Sequence, residues 1–119
     1  MDSTARKILV VDDEEIVRLS CLRTLMPHGC EVETANDGYE ALAILRDRSF
    51  DIIITDFKMP DMDGIEFIDM LRQTAPSARL LLVTGYATDE VREQAEAMGA
   101  SYLAKPFSPQ ELCDAIEGL

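Results

Sequence analysis

The stretch DIIITDFKMPDMDG, Asp51 to Gly64, decides the fold. Its first part, Asp51–Thr55, carries a short continuous apolar run, which reads as a strand buried on both faces. Asp56 then stands where that strand should leave the core. An acid at the end of an apolar strand needs a reason, and the rest of the chain supplies one.

Four further runs have the same character: ILVV (Ile8–Val11), CEVET (Cys30–Thr34), RLLLV (Arg79–Val83) and SYLA (Ser101–Ala104). Between them apolar residues recur at three and four. Ile16, Leu19, Leu22 and Met26 do so, as do Ile65, Ile68 and Leu71, and Leu112, Ala115, Ile116 and Leu119. Helix starts are marked by Asp37 with Glu40, by Asp63 with Glu66, and by Ser108-Pro109-Gln110-Glu111. Gly99 stops the fourth helix, which runs from about Thr88 to Met98 and has the thinnest apolar stripe. A weakly held helix there is a candidate moving part. The pattern is five βα units, so an α/β fold with a five-stranded parallel sheet covered by helices is expected. In the flavodoxin-like, doubly wound sandwich form of that fold the strand order would be 2-1-3-4-5.

The 119 residues fit one domain covering 1–119, large enough to fold without disulfides or metals. With 47% apolar and 29% charged residues, the composition is that of a soluble globular protein. A net charge of -12 argues against direct binding of nucleic acid and suits a basic partner or a cation. Cys21, Cys30 and Cys113 form no CxxC pair and read as small hydrophobes in a reducing compartment. His28, between Pro27 and Gly29, reads as a solvated loop residue. No apolar run approaches membrane-spanning length and MDSTARK has no signal-like core, so a cytoplasmic location is expected.

Each apolar run is followed by a polar group. Asp12 and Asp13 follow the first strand, Asp56 the third, Thr84 the fourth and Lys105 the fifth. In an open parallel sheet, ligands bind beyond the carboxyl ends of the strands, where the strand order reverses. Asp12, Asp13 and Asp56 would meet there, and three carboxylates at close range call for a cation or a proton. Hard oxygen donors without His or Cys suit Mg²⁺. Adding Lys105 and the Thr84 hydroxyl gives a set fitted to a phosphoryl group beside Mg²⁺, with Asp56 as candidate nucleophile.

Taken together, VVDDE, DIIITDFKMPDMDG, LLLVTG and SYLAKPF resemble the marks of a response-regulator receiver domain of two-component signalling, and the resemblance covers essentially the whole chain. It implies that Asp56 accepts a phosphoryl group from a phosphohistidine of a histidine kinase or phosphotransfer protein. Asp13, Asp56 and the Lys58 backbone carbonyl would ligate Mg²⁺ directly, and Asp12 through water. Thr84, the Gly85 N–H and Lys105 would bind the phosphoryl group. Thr84 and Tyr102 would shift as a switch, and the Lys105–Pro106 bond would be cis. Lys58 and Tyr86 would tune the acyl-phosphate lifetime. Gly85 departs from the Ala of many relatives. The output would be the face of helix four, strand five and helix five, acting on an output domain or target protein, with a phosphorylation-dependent homodimer as family expectation. The domain would catalyse only its own phosphorylation and dephosphorylation. A stand-alone receiver or one cut from a longer regulator or hybrid kinase would both fit; the helical pattern running to Leu119 favours the second.

Other readings are weaker. The DMDG at Asp61–Gly64 superficially resembles the DxDGT of haloacid-dehalogenase phosphatases, but Pro60 precedes it and Ile65 replaces Thr. An EF-hand would need further acids that are missing. Asp61 therefore reads as loop and Asp63 as N-cap. A flavodoxin needs a phosphate-cradling loop after strand one, where this chain has the repelling DDEE. Glu14 and Glu15 read as first-turn residues favouring the helix dipole, and Phe107 as packing. An interaction module of receiver shape that no longer turns over phosphate is the alternative from another class, opposed by the intact Asp12–Asp13 pair, Thr84 and Lys105.

Overall fold

The computed structural model describes residues 6–58, 62–85 and 88–119. Strands and helices alternate along the chain: β1 (Lys7–Val11), α1 (Glu15–Leu25), β2 (Glu31–Ala35), α2 (Gly38–Leu45), β3 (Ile52–Asp56), α3 (Gly64–Thr74), β4 (Arg79–Thr84), α4 (Asp89–Ala97), β5 (Ser101–Ala104) and α5 (Pro109–Glu117). All neighbouring strands pair in parallel, in the order β2-β1-β3-β4-β5. Chain direction alone explains the helices, because parallel neighbours need a crossover between them.

Alternation along the strands divides the core in two. Leu9, Val11, Ile53, Leu80 and Leu82 face one layer, where Ala41, Leu45, Phe67, Ile68, Leu71 and Ala95 cover them. Ile8, Val10, Ile52, Ile54, Leu81 and Val83 face the other, under Cys21, Leu25, Leu112 and Ile116. The central strands are therefore dry on both sides, as their unbroken apolar runs predict.

Two helix faces differ from the sequence reading. On α1 the inward series is Val17, Cys21 and Leu25, whereas Ile16, Leu19 and Met26 are exposed. Two interleaved apolar series share this helix, and helical spacing alone does not say which one the sheet covers. On α3, Ile65 is exposed and Phe67 takes the core position beside Ile68 and Leu71. Strand ends also move by one residue: β2 begins at Glu31, and β3 runs through Asp56 itself.

The caps follow their chemistry. Ser108 and Glu111 form a reciprocal capping box with Pro109 at the first position of α5. Asp37 accepts from the Glu40 N–H, but Glu40 reaches back to the Asn36 N–H, one residue beyond the expected box. Asp63 accepts from the Ile65 N–H. Thr88 caps α4, and Gly99 follows that helix with φ +72°. Gly64 opens α3 so close to β3 that a Cβ would run into the Phe57 carbonyl oxygen. That approach folds the chain back directly behind Asp56.

Candidate functional site

Strand register assembles the site. Val11 lies opposite Thr55, and Asp56 lies opposite Val83. Asp12, Asp56 and Thr84 therefore emerge side by side at the carboxyl edge of the sheet. Thr84 pairs with Ala104, and the Lys105 N–H donates to the Thr84 carbonyl at 2.8 Å. The Lys105–Pro106 peptide is cis. Asp12 and Thr84 are fully buried and Asp56 is 8% exposed, while Asp13 is exposed.

Both oxygens of Asp56 have donors. Oδ1 accepts from the Lys58 N–H at 3.0 Å, and Oδ2 from Lys105 Nζ at 3.0 Å. Asp12 is tied in the same way: Oδ1 accepts from the Glu14 N–H at 2.9 Å and Oδ2 from Lys105 Nζ at 2.9 Å. Arg18 donates to the Asp12 carbonyl at 2.6 Å, fastening α1 to the end of β1. Burial pushes the Asp12 carboxyl above its ordinary range, and the Lys105 hydrogen bond only partly opposes this. Burial also opposes the Lys105 charge, but its hydrogen bonds to Asp12 and Asp56 prevail and hold the ammonium protonated well above the usual lysine range. Beneath the site, burial drives the Cys21 thiol up to about 12, with the Asp12 charge adding to it, so Cys21 stays a neutral core residue.

One carboxylate oxygen each from Asp12, Asp13 and Asp56 lie within 4.8 Å of one another. Two of these acids already share a cation in Lys105, yet the cluster remains net negative. Its donors are all hard oxygens, and Asp13 opens it to solvent. The set fits a small divalent ion that keeps part of its water.

Gly85 is exposed, and among the described residues nothing lies within contact of where a Cβ would stand. Tyr102 is half-buried, opposite Leu82, and packs against the core layer that α2, α3 and α4 cover. By strand alternation Thr84 points to that same side as Leu82. Tyr86 and Asp61 lie outside the described residues. Two contributors escaped the sequence reading. Arg18 has no motif to announce it. Glu14 was expected to serve the helix dipole, but as the N-cap of α1 its side chain makes no capping bond and instead reaches Lys105 at 3.2 Å.

Residues 8–117 match the family model of the response regulator receiver domain. The response regulator MprA of Mycobacterium sp. (strain KMS) is 39% identical over 116 residues, which cover 95% of this chain and 50% of that protein. This chain thus spans about half the length of the curated relatives it matches. The solved chemotaxis response regulator CheY4 of Vibrio cholerae is 38% identical, with TM-score 0.89, covering 97% of this chain and 98% of that one. The response regulator protein TrrA of Thermotoga maritima, solved in complex with Mg²⁺ and BeF, is 32% identical, with TM-score 0.83, covering 95% and 97%.

Proposed function

The chain belongs to the response-regulator receiver-domain family of two-component signalling, and from that premise we propose that Asp56 accepts a phosphoryl group from the phosphohistidine of a histidine kinase or phosphotransfer protein. The observation that carries this reading is the placement of Asp56. It is the final residue of a buried central strand, within reach of Asp12, Asp13 and Lys105. In the transfer, an Asp56 carboxylate oxygen bonds to phosphorus as the P–N bond to the donor imidazole breaks. The bonding electrons leave with the ring nitrogen, and an acyl phosphate remains on Asp56.

Asp12, Asp13, Asp56 and the Lys58 carbonyl would hold Mg²⁺, which when bound neutralises charge on the phosphoryl oxygens. The Lys58 N–H keeps the acceptor carboxylate oriented before reaction. Lys105, already between Asp12 and Asp56, follows the negative charge to the phosphoryl group. The Thr84 hydroxyl and the Gly85 N–H add donors. Positioning and charge neutralisation are what phosphoryl transfer chiefly needs.

Drawing Thr84 toward the phosphoryl group would shift Tyr102 on the adjoining strand and alter the α4–β5–α5 face. The loose seat of α4 supports this: Ala95 is its one fully buried residue among those described. The response is a shift between two populated states. An output domain or target protein, or a second copy of the chain, would read it. Lys58 and Tyr86, two residues after Asp56 and Thr84 in the sequence, would set how long the acyl phosphate lasts. Residues 1–119 would act as one receiver unit within a cytoplasmic signalling protein; among the described residues no helix is long and apolar enough to cross a membrane.

An exposed groove formed by Ile16, Val17, Ser20, Pro106 and Phe107 adjoins Lys105 and would offer a donor protein a surface beside the site. The test is intact mass after incubation with acetyl phosphate and Mg²⁺. One phosphoryl adduct is expected, lost in Asp56→Asn and in the presence of a chelator. A folded protein that takes no adduct from acetyl phosphate or from a phosphohistidine donor would instead be an interaction module of receiver shape.

A further inference from the structure

Among the described residues, Lys105 Nζ has three carboxylate partners. Two, Asp12 and Asp56, belong to the buried site. The third is Glu14, whose side chain is 57% exposed and lies 3.2 Å from the ammonium. Glu14 also lines the groove mouth beside Gly85, Lys105 and Phe107. Its backbone is fixed there, because its N–H donates to Asp12 Oδ1. A carboxylate thus sits on the groove side of Lys105, the one cation among the described residues that bonds to Asp56.

We propose that Glu14 is a positioning and specificity-determining residue: it holds Lys105 in the resting site and disfavours dianionic acyl phosphates relative to less anionic N–P donors. This rests on Asp56 being the acceptor. A donor gains the Lys105 contact only by displacing Glu14, and it meets the Glu14 charge on approach. Both costs rise with the negative charge of the donor. With acetyl phosphate, the Asp56 oxygen bonds to phosphorus and acetate leaves with the electrons of the broken P–O bond. With phosphoramidate, a monoanion that carries its own ammonium, the P–N bond breaks and ammonia leaves. Protein phosphohistidine shares the N–P chemistry.

The test compares phosphorylation rates of wild type, Glu14→Gln and Glu15→Gln with acetyl phosphate and with phosphoramidate, at low and high salt. Glu15 is a neighbouring acid outside the partners of Lys105. Glu14→Gln should accelerate the acetyl phosphate reaction about threefold more than the phosphoramidate reaction, and added salt should shrink that preference. Glu15→Gln should leave the ratio near that of wild type. In the unphosphorylated, metal-free protein, the Lys105 ¹⁵Nζ resonance should shift in Glu14→Gln and stay in place in Glu15→Gln. Equal acceleration with both donors, or an unmoved Lys105 resonance, would overturn the proposal while Asp56 phosphorylation stands. No adduct in wild type from either small donor or from a phosphohistidine protein would overturn the acceptor reading and this inference with it.

Discussion

At the scale of single residues, the site is a problem of charge. Asp12, Asp13 and Asp56 crowd their oxygens within 4.8 Å, and Lys105 offsets only part of the repulsion. Under the proposed function, this repulsion is what a cation and an anionic group would relieve by sitting there together. Asp13 is the exposed member, so it can be neutralised without leaving a buried polar group unpaired. Asp13→Asn should therefore raise metal-free stability by on the order of 1 kcal/mol, since it removes one charge from a partly solvated cluster. The same change should abolish the extra stability that wild type gains from Mg²⁺, about 1.4 kcal/mol at a tenfold excess over its dissociation constant. Thermal melts in chelator and in Mg²⁺ measure both. A variant less stable than wild type in chelator would mean that the acids do not repel as described.

Among individual residues, legibility tracked backbone position. Asp12, Asp13, Asp56, Thr84 and Lys105 could be placed at one sheet edge because each directly follows an apolar run. Glu14 could not be assigned in that way. Its neighbours in sequence allow the side chain to serve the helix start or to cross to the fifth strand, and only the packed structure shows the second. Arg18 is similar: its bond to the Asp12 carbonyl depends on the angle at which α1 leaves β1.

Elements carry the site by how their ends are built. The five βα units were legible, because buried parallel strands write themselves as unbroken apolar runs; the strand order was not in those runs and came with the flavodoxin-like arrangement, which the sheet adopts. Helix faces were less so. Ile16 and Leu19 compete with Val17 and Cys21 for the inward side of α1, and the contest is settled by the sheet and α5, which lie far away in sequence. Phe67 displaces Ile65 on α3 for the same reason. The tight start of α3 gives a prediction at this scale. Gly64→Ala forces a Cβ onto the Phe57 carbonyl oxygen and must shift the backbone next to Asp56. Ser108→Ala removes one cap of a different helix, α5, and should cost about 1 kcal/mol. In denaturant titrations Gly64→Ala should lose at least twice as much. Equal losses would show that the loop behind Asp56 yields easily.

Across the whole molecule, two dry layers fix the sheet, and the sheet fixes the row of polar groups at its carboxyl edge. The layer under α1 and α5 is closed over its strands, whereas α4 commits one fully buried residue to the other. Under the proposed function, the burial of Asp56 at the strand end and the thin burial of α4 would suit a domain that takes up a phosphoryl group in one place and changes shape in another. The net charge of -12 also suits docking against basic protein surfaces. All of this depends on Asp56 being the residue that is modified. Borohydride reduction of the phosphorylated protein, followed by peptide mass mapping, tests that directly, because reduction turns an aspartyl phosphate into homoserine. The account predicts homoserine at position 56 and at no other acid. Homoserine at position 12 or 13, or none in a protein that carries the phosphoryl adduct, would contradict it.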